Sequence, residues 1–333
     1  MNIDHLFGQF KNIKIGVIGD VMLDTYLWGN VDRISPEAPV PIVAVESKEY
    51  RIGGAGNVAL NLASLGAQTT VLSVIGDDED GKQLNGMFAN AGINANYLIS
   101  SSTRITTNKM RVISRNQQMM RLDTEVTSFL QLPEEQLLLE AALKYIDQEN
   151  PAVLLFEDYN KGVLTENVIT TLIALCKKRG ILTAVDPKRK NFFTYREVDI
   201  FKPNMKEVKD GLNIVESGVS KTLLDNIHQQ LYHLLNHQIS FVTLSEYGTY
   251  FNNGIVHKII PSHRRNIADV SGAGDTVIAV ASIVYAISKD VELMAEMANI
   301  AGGLVCEEVG TVSINKSKLL EECKRLLKTQ FIN

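Results

Sequence analysis

Short apolar runs rich in β-branched residues alternate along the chain with longer stretches whose apolar positions recur every three or four residues. The short runs predict strands at Ile13–Ile18, Thr70–Ile75, Val153–Phe156, Leu182–Val185, Ile200–Lys202 and Phe241–Leu244. The longer stretches predict helices at Asn57–Leu65, Gly81–Ala91, Pro133–Asp147, Thr165–Lys178, Leu223–Leu235, Asp275–Ser288, Val291–Cys306 and Lys316–Lys328. This alternation predicts an α/β fold with a mostly parallel sheet covered by helices on both faces. Ligands of such sheets bind beyond the C-terminal ends of the strands. Several strands run into polar residues at that end: "IGD" at 18–20, "FEDYNKG" at 156–162, "VDPK" at 185–188, "KPN" at 202–204 and "LSEYG" at 244–248. This edge is the expected active face.

Two segments break the alternation. Residues 38–54 and 103–123 read as β-ribbon and together predict a small second sheet. "FNNGIVHKI", 251–259, carries an Asn-Gly turn and predicts a hairpin. With no repeat, low-complexity tract or linker, residues 1–333 read as one domain with a β appendage.

Composition narrows the class. A net charge of −5 offers no general attraction to nucleic acid or anionic membranes, so an anionic ligand needs a local basic cluster. Cys176, Cys306 and Cys323 are too scattered for a disulfide framework, which suits a reducing cytoplasm. The N-terminus has no signal-peptide pattern. The apolar run Val277–Ile287, interrupted by Ser282, is well short of the ~20 residues that span a bilayer and reads as a core helix.

The candidate chemistry lies in four places. In "DVSGAGDTVIAV", 269–280, the backbone N–H groups of Gly272, Ala273 and Gly274 can converge at a helix start, with Asp275 in the first turn. The arrangement is either a capped helix or an anion hole with a proton acceptor beside it. "IGGAGNVALNLASLGA", 52–67, puts small residues before another helix; it meets neither the dinucleotide fingerprint nor Walker A. "KPNMKE", 202–207, places Asn204 and Glu207 three apart after a strand, as a helix cap or as a holder of hydrated magnesium. In "NKMRVISR", 108–115, Lys109, Arg111 and Arg115 fall on one face of a strand, as a phosphate clamp or as a solvated edge. The six histidines show no metal-ligand spacing.

Taken together these segments resemble the ribokinase family of sugar kinases. Gly53-Gly54-Ala55-Gly56-Asn57 matches its N-terminal signature, Asp269–Asp275 matches its C-terminal DTxGAGD signature with Val270 in place of Thr, and Asn204–Glu207 matches its N-x-x-E motif. "GDVMLDTYLWGNVDRISPEAPVPIV", "SRNQQMMRLD" and "EDYNKGVLT" resemble the subgroup that phosphorylates D-glycero-β-D-manno-heptose 7-phosphate. Many members of that subgroup carry a fused nucleotidyltransferase; with no H-x-G-H motif, this chain reads as a stand-alone kinase. The resemblance implies a three-layer α/β/α fold with a β lid at about 24–50 and 103–122, and a homodimer formed through that lid. It implies ATP and Mg2+ as cofactors and leaves a monovalent cation open. Asp275 would take the proton of the sugar C1 hydroxyl, and Gly272–Gly274 would steady the transferring phosphoryl group. Asp20, Asp24, Gly54 and Asn57 would bind sugar hydroxyls. Lys109, Arg111 and Arg115 would hold the 7-phosphate, with Asp158 and Lys161 facing the same cleft. Thr243, Ser245, Gly248 and Asn299 would line the nucleotide site, and magnesium would sit near Asn204 and Glu207 through water. The alternatives are a family kinase for another sugar and a catalytically inactive sugar-binding regulator.

Overall fold

A computed structural model describes residues 2–327 other than 116 and 217. The large sheet is nine-stranded. In chain order its parallel strands are β1 (Lys14–Gly19), β4 (Gln68–Gly76), β5 (Asn94–Ser101), β8 (Val153–Glu157), β9 (Leu182–Asp186), β10 (Ile200–Phe201) and β11 (Ile239–Thr243). The hairpin β12 (Thr249–Asn252) and β13 (His257–Ile260) extends one edge antiparallel, and the expected turn at Asn253-Gly254 joins the two. The spatial order is β13-β12-β11-β10-β9-β8-β1-β4-β5. The direction of winding therefore reverses between β1 and β8, and the crevice beyond their C-terminal ends is where such sheets bind ligands.

The central strands are buried on both faces, which is why they read as unbroken apolar runs. Val153 and Leu155 of β8 enter one core and Leu154 and Phe156 the other. The first core is closed by α1 (Ile3–Gln9), α2 (Ala55–Leu65), α3 (Glu79–Asn90), α8 (Ala273–Ser288), α9 (Val291–Val305) and α10 (Lys316–Leu326). The second is closed by α4 (Leu132–Glu149), α5 (Glu166–Arg179), α6 (Met205–Leu212) and α7 (Lys221–Leu235). The three-layer expectation holds. Helix starts follow side-chain caps: Thr165, Ser220 and Asp290 each accept the N–H three residues on. Helix α3 begins two residues before its predicted start because Asp78 caps it by accepting from the Gly81 N–H. The predicted end of α10 at Lys328 lies outside the described residues.

The small sheet is built from β2 (Val21–Ile34), β3 (Pro41–Gly54), β6 (Asn108–Ser114) and β7 (Gln117–Thr124), in the order β3-β2-β6-β7. It is mixed, since β2 runs antiparallel to β3 but parallel to β6. Among the described residues no helix is long and apolar enough to cross a membrane. The three cysteines are buried and unpaired with one another.

Candidate active site

Helix α8 begins abruptly at the crevice. Gly272 caps it with φ 76°, a left-handed conformation that an L-residue adopts at a cost. A Cβ at Gly272 would lie 2.9 Å from Asn57 Nδ2 and 3.1 Å from Thr311 Cγ2. Of the three converging N–H groups expected here, that of Ala273 turns back onto Val270 O at 3.3 Å. Gly274 and Asp275 follow in the first turn, whose N–H groups have no preceding helical turn to accept them. The helix start is thus an electropositive spot beside a carboxylate.

That carboxylate, Asp275, is buried and held at both oxygens. Asn57 Nδ2 donates to Oδ2 at 2.7 Å, and the Tyr159 hydroxyl donates to Oδ1 at 2.7 Å. Asn57 is itself fixed at the first turn of α2 by Asn61, which donates to its carbonyl, and Asn61 in turn accepts from Thr276 of α8. Burial pushes the Asp275 carboxyl up to about 6, against the pull of those two donors; nearby Asp186 raises it further and Lys202 lowers it. A carboxylate with a pKa near neutrality is suited to accept a proton.

Beside Asp275 the ends of β8 and β9 bring Glu157 and Asp186 together, with oxygens of all three carboxylates within 4.8 Å of one another. Two lysines offset this charge. Lys202, almost fully buried, sits 2.7 Å from Asp186 Oδ2, and Lys188 sits 3.1 Å from Asp186 Oδ1 and 2.6 Å from Glu207 Oε1. Against its burial, these ammonium groups hold Asp186 below the ordinary carboxylate range. Neither carboxyl oxygen of Glu157 has a hydrogen-bond partner among the described residues; burial, then Asp186 and Asp275, push its carboxyl well above the ordinary range. Both oxygens of Asp186 and of Asp275 are already engaged, so the trio forms an ion-pair network around two lysines.

On the small-sheet side several expected sugar ligands are engaged elsewhere. Asp20 accepts from the N–H groups of Tyr159, Lys161 and Val163 at 2.8, 3.0 and 3.0 Å, so it anchors the 159–163 loop. Burial and Asp158 push it up to about 6 while those donors pull it back. Asp158 accepts from the Asn160 N–H, Asn191 Nδ2 and the Tyr195 hydroxyl. Asp24 and Arg111 pair with each other at 2.6 Å. Gly54, φ 60°, is packed so that a Cβ would meet Asp20 O at 2.3 Å, and its neighbour Ala55 donates its N–H to that same carbonyl. The expected face shared by Lys109, Arg111 and Arg115 does not form. Arg115 lies in the turn after β6 with φ 49°, is mostly exposed, and approaches Asp32 at 3.6 Å. Lys161 lies 2.6 Å from Glu125. Lys109 is different: among the described residues no carboxylate lies within ion-pair distance of it, and burial, then Lys161, lower its pKa. Its ammonium sits 5.6 Å from the Tyr159 ring centroid, and Lys188 approaches that ring at the same distance.

On the other flank Asn204 and Thr243 form a bridge between parallel segments. The loop after β11 turns through Ser245, φ 54°, and Gly248, φ 96°, where a Cβ would collide with Ile260 O at 2.0 Å. Asn299 donates to Pro261 O at 2.9 Å on the same flank. Asn204 and Glu207 form a reciprocal cap of α6: Asn204 Oδ1 accepts from the Glu207 N–H at 2.9 Å, and Glu207 Oε2 accepts from the Asn204 N–H at 2.8 Å. The cap interpretation of this pair is realised. A carboxylate keeps lone pairs beyond these bonds, so the pair still fits a hydrated divalent cation held through water.

Tyr159, Glu157, Asp186, Lys188 and Lys202 carry the centre of the site, yet pattern reasoning assigned none of them a role. The signal was present as "EDY", "VDPK" and "KPN" at successive strand ends. The small sheet also reaches this region: Arg51 of β3 donates to Val309 O and Thr311 O, and Gly310 N–H donates to Asp269 at the start of the Gly-Ala-Gly turn.

Residues 12–318 match the family model described as pfkB family carbohydrate kinase. The chain belongs to that family. It is therefore an ATP-dependent sugar kinase. It is 39% identical over 322 residues to bifunctional protein HldE of Methylobacillus flagellatus, covering 96% of this chain and 65% of that one. It is 38% identical to bifunctional protein HldE of Geobacter sulfurreducens, covering 96% of this chain and 64% of the relative. The kinase thus spans just under two thirds of these curated relatives. Among solved structures it is similar to phosphofructokinase-2 from Escherichia coli in complex with potassium, with TM-score 0.78 and 19% identity, covering 95% of this chain and 99% of that one. Arabidopsis thaliana ribokinase complexed with ribose and ATP gives TM-score 0.71 and 16% identity, covering 93% and 98%. These likenesses show the ribokinase-like fold.

Proposed function

We propose that the kinase transfers the γ-phosphoryl group of ATP to the C1 hydroxyl of D-glycero-β-D-manno-heptose 7-phosphate, giving the 1,7-bisphosphate used for ADP-heptose or GDP-heptose precursors in the cytoplasm. The observation that carries the chemistry is Asp275, buried, held at both oxygens and set at the start of α8. The acceptor hydroxyl gives its proton to Asp275 as its oxygen attacks the γ-phosphorus and ADP leaves. The first-turn N–H groups after Gly272 offset charge on the moving phosphoryl oxygens. Magnesium near Asn204 and Glu207 supplies charge neutralisation on the nucleotide phosphates when bound. The loop at Thr243, Ser245 and Gly248, together with Asn299, lines the nucleotide flank. Asn57 sets the base, and Asp20 sets the loop that bears Tyr159 and Lys161.

The substrate reading is supported by Lys109, a half-buried ammonium without a carboxylate partner among the described residues, close to Lys161. These two lysines are the anion pair we assign to the sugar phosphate; Arg111 supports it by fixing Asp24. The bifunctional HldE relatives and the subgroup-like stretches of the sequence favour the heptose over other sugar phosphates. The whole chain acts as one kinase domain, with the small sheet as its lid. An assay of ADP release with heptose 7-phosphate, unphosphorylated heptose, fructose 6-phosphate and ribose tests this. Turnover confined to heptose 7-phosphate is expected; preferred turnover of another sugar would reassign the substrate.

A further inference from the structure

We propose that Tyr159 guards the base: its hydroxyl occupies Asp275 Oδ1 while no acceptor is bound, and yields that oxygen to the acceptor hydroxyl. This rests on the reading of Asp275 as the proton acceptor.

Two side chains hold Asp275, and they differ in kind. Asn57 is locked at 2.7 Å by a buried chain of amides that ends in α8 itself, through Asn61 and Thr276. Its bond to Oδ2 is part of the α2–α8 packing. Tyr159 comes from the loop after β8, and its ring is only partly buried. Its hydroxyl is the one donor on Oδ1 among the described residues. An incoming sugar hydroxyl is a donor of the same type and must reach an oxygen of this carboxylate to lose its proton.

A kinase that binds ATP beside a primed base faces a competing reaction. Water could donate to Asp275 and attack the γ-phosphorus. The new P–O bond would form as the bond from γ-phosphorus to the bridging oxygen breaks, and ADP and phosphate would leave. A phenol on Oδ1 keeps water from that position. Its own oxygen is a poor competitor as an acceptor, because burial and the adjoining carboxylates push its pKa well above the ordinary tyrosine value.

The ring also has a means of release. The ammonium groups of Lys109 and Lys188 both lie 5.6 Å from its centroid, one on the sugar flank and one on the nucleotide flank. Anionic groups of the two ligands compete for the same ammonium groups, and each one drawn away removes a cation–π contact that holds the ring in place. The guard would then open only when both ligands are present.

The test is ATP hydrolysis with magnesium and no sugar. Tyr159→Phe keeps the ring and removes the hydroxyl. Sugar-independent hydrolysis is expected to rise about tenfold, the scale of one lost hydrogen bond, with KM for ATP unchanged. A purely structural tyrosine would not raise this rate. Hydrolysis at the wild-type level, in a variant with wild-type melting and wild-type KM for ATP, overturns the guard. The Tyr159→Phe/Asp275→Asn double variant separates the two claims. Loss of the added hydrolysis supports both, whereas retention of it removes Asp275 as the base. If Tyr159→Phe does not fold, a crystal structure of the native kinase with sugar phosphate and a non-hydrolysable ATP analogue decides. The acceptor hydroxyl on Oδ1 with Tyr159 withdrawn supports the proposal; Tyr159 still bonded to Oδ1 overturns it.

Discussion

Asp275 carries opposite consequences for activity and for stability. Its folded pKa of about 6 lies above the ordinary 3.8, so the fold disfavours its charged form. Its contribution to stability is full below pH 3.8 and is lost as pH rises through about 6. Asp275→Asn is therefore expected to lose turnover by about 10²–10⁴-fold, yet to melt higher than wild type at pH 8, by roughly 1–3 kcal/mol. Near pH 4 the two should melt alike. Thermal melts at both pH values check this, and a lower melt at pH 8 would contradict it. The acid limb of kcat is expected near pH 6, set by Asp275 through its burial and the opposing effects of Asn57, Tyr159, Asp186 and Lys202. Single residues were the least legible scale in the sequence. The candidate base was legible as a position, because a Gly-Ala-Gly turn before an apolar helix restricts where the next carboxylate can lie. The surroundings of Asp20 and Asp158 were not legible, because a carboxylate at a strand end looks the same whether it meets solvent, ligand or backbone. The 159–163 loop folds back onto Asp20, and only the fold shows it.

The elements around the site convert those positions into a rigid frame. Gly272→Ala forces a side chain into a left-handed cap 2.9 Å from the amide that holds the base. It is expected to cost about 1–2 kcal/mol of stability and to lower kcat more than either KM, as melting and steady-state kinetics would show. On the small sheet, Lys109→Ala is expected to raise KM for heptose 7-phosphate about 10- to 100-fold, the worth of a charge-assisted bond. KM for ATP should hold, and an equal rise in both would place Lys109 elsewhere. The alternating strands and helices were readable because buried parallel strands and capped amphipathic helices leave distinct periods. The small sheet was only partly readable. β2 is a 14-residue strand with irregularities at Trp28/Gly29 and Val31/Arg33, which blur the two-residue period. The shared face of Lys109, Arg111 and Arg115 failed for a related reason: the chain leaves β6 at Ser114 and turns through Arg115.

At the scale of the whole molecule, the small sheet is too exposed to stand alone. Ile34, Val40, Val45, Met120 and Leu122 are each half or more exposed, on strands β2, β3 and β7 and the turn between β2 and β3. We propose that a second copy covers this surface and that the kinase is a homodimer through its lid. Light scattering is expected to give twice the 36.9 kDa chain mass, and Val40→Asp is expected to shift it toward one. A wild-type monomer at micromolar concentration would remove the dimer. Arg51 ties this sheet to the 309–311 loop and so, through Asp269, to the turn before α8. The central claim remains the transfer itself, and phosphorus NMR of the reaction product tests it most directly. With ATP, magnesium and heptose 7-phosphate, a second phosphate resonance split by the anomeric proton is expected, beside the unchanged 7-phosphate. ADP formed with no phosphate on the anomeric carbon would contradict the account.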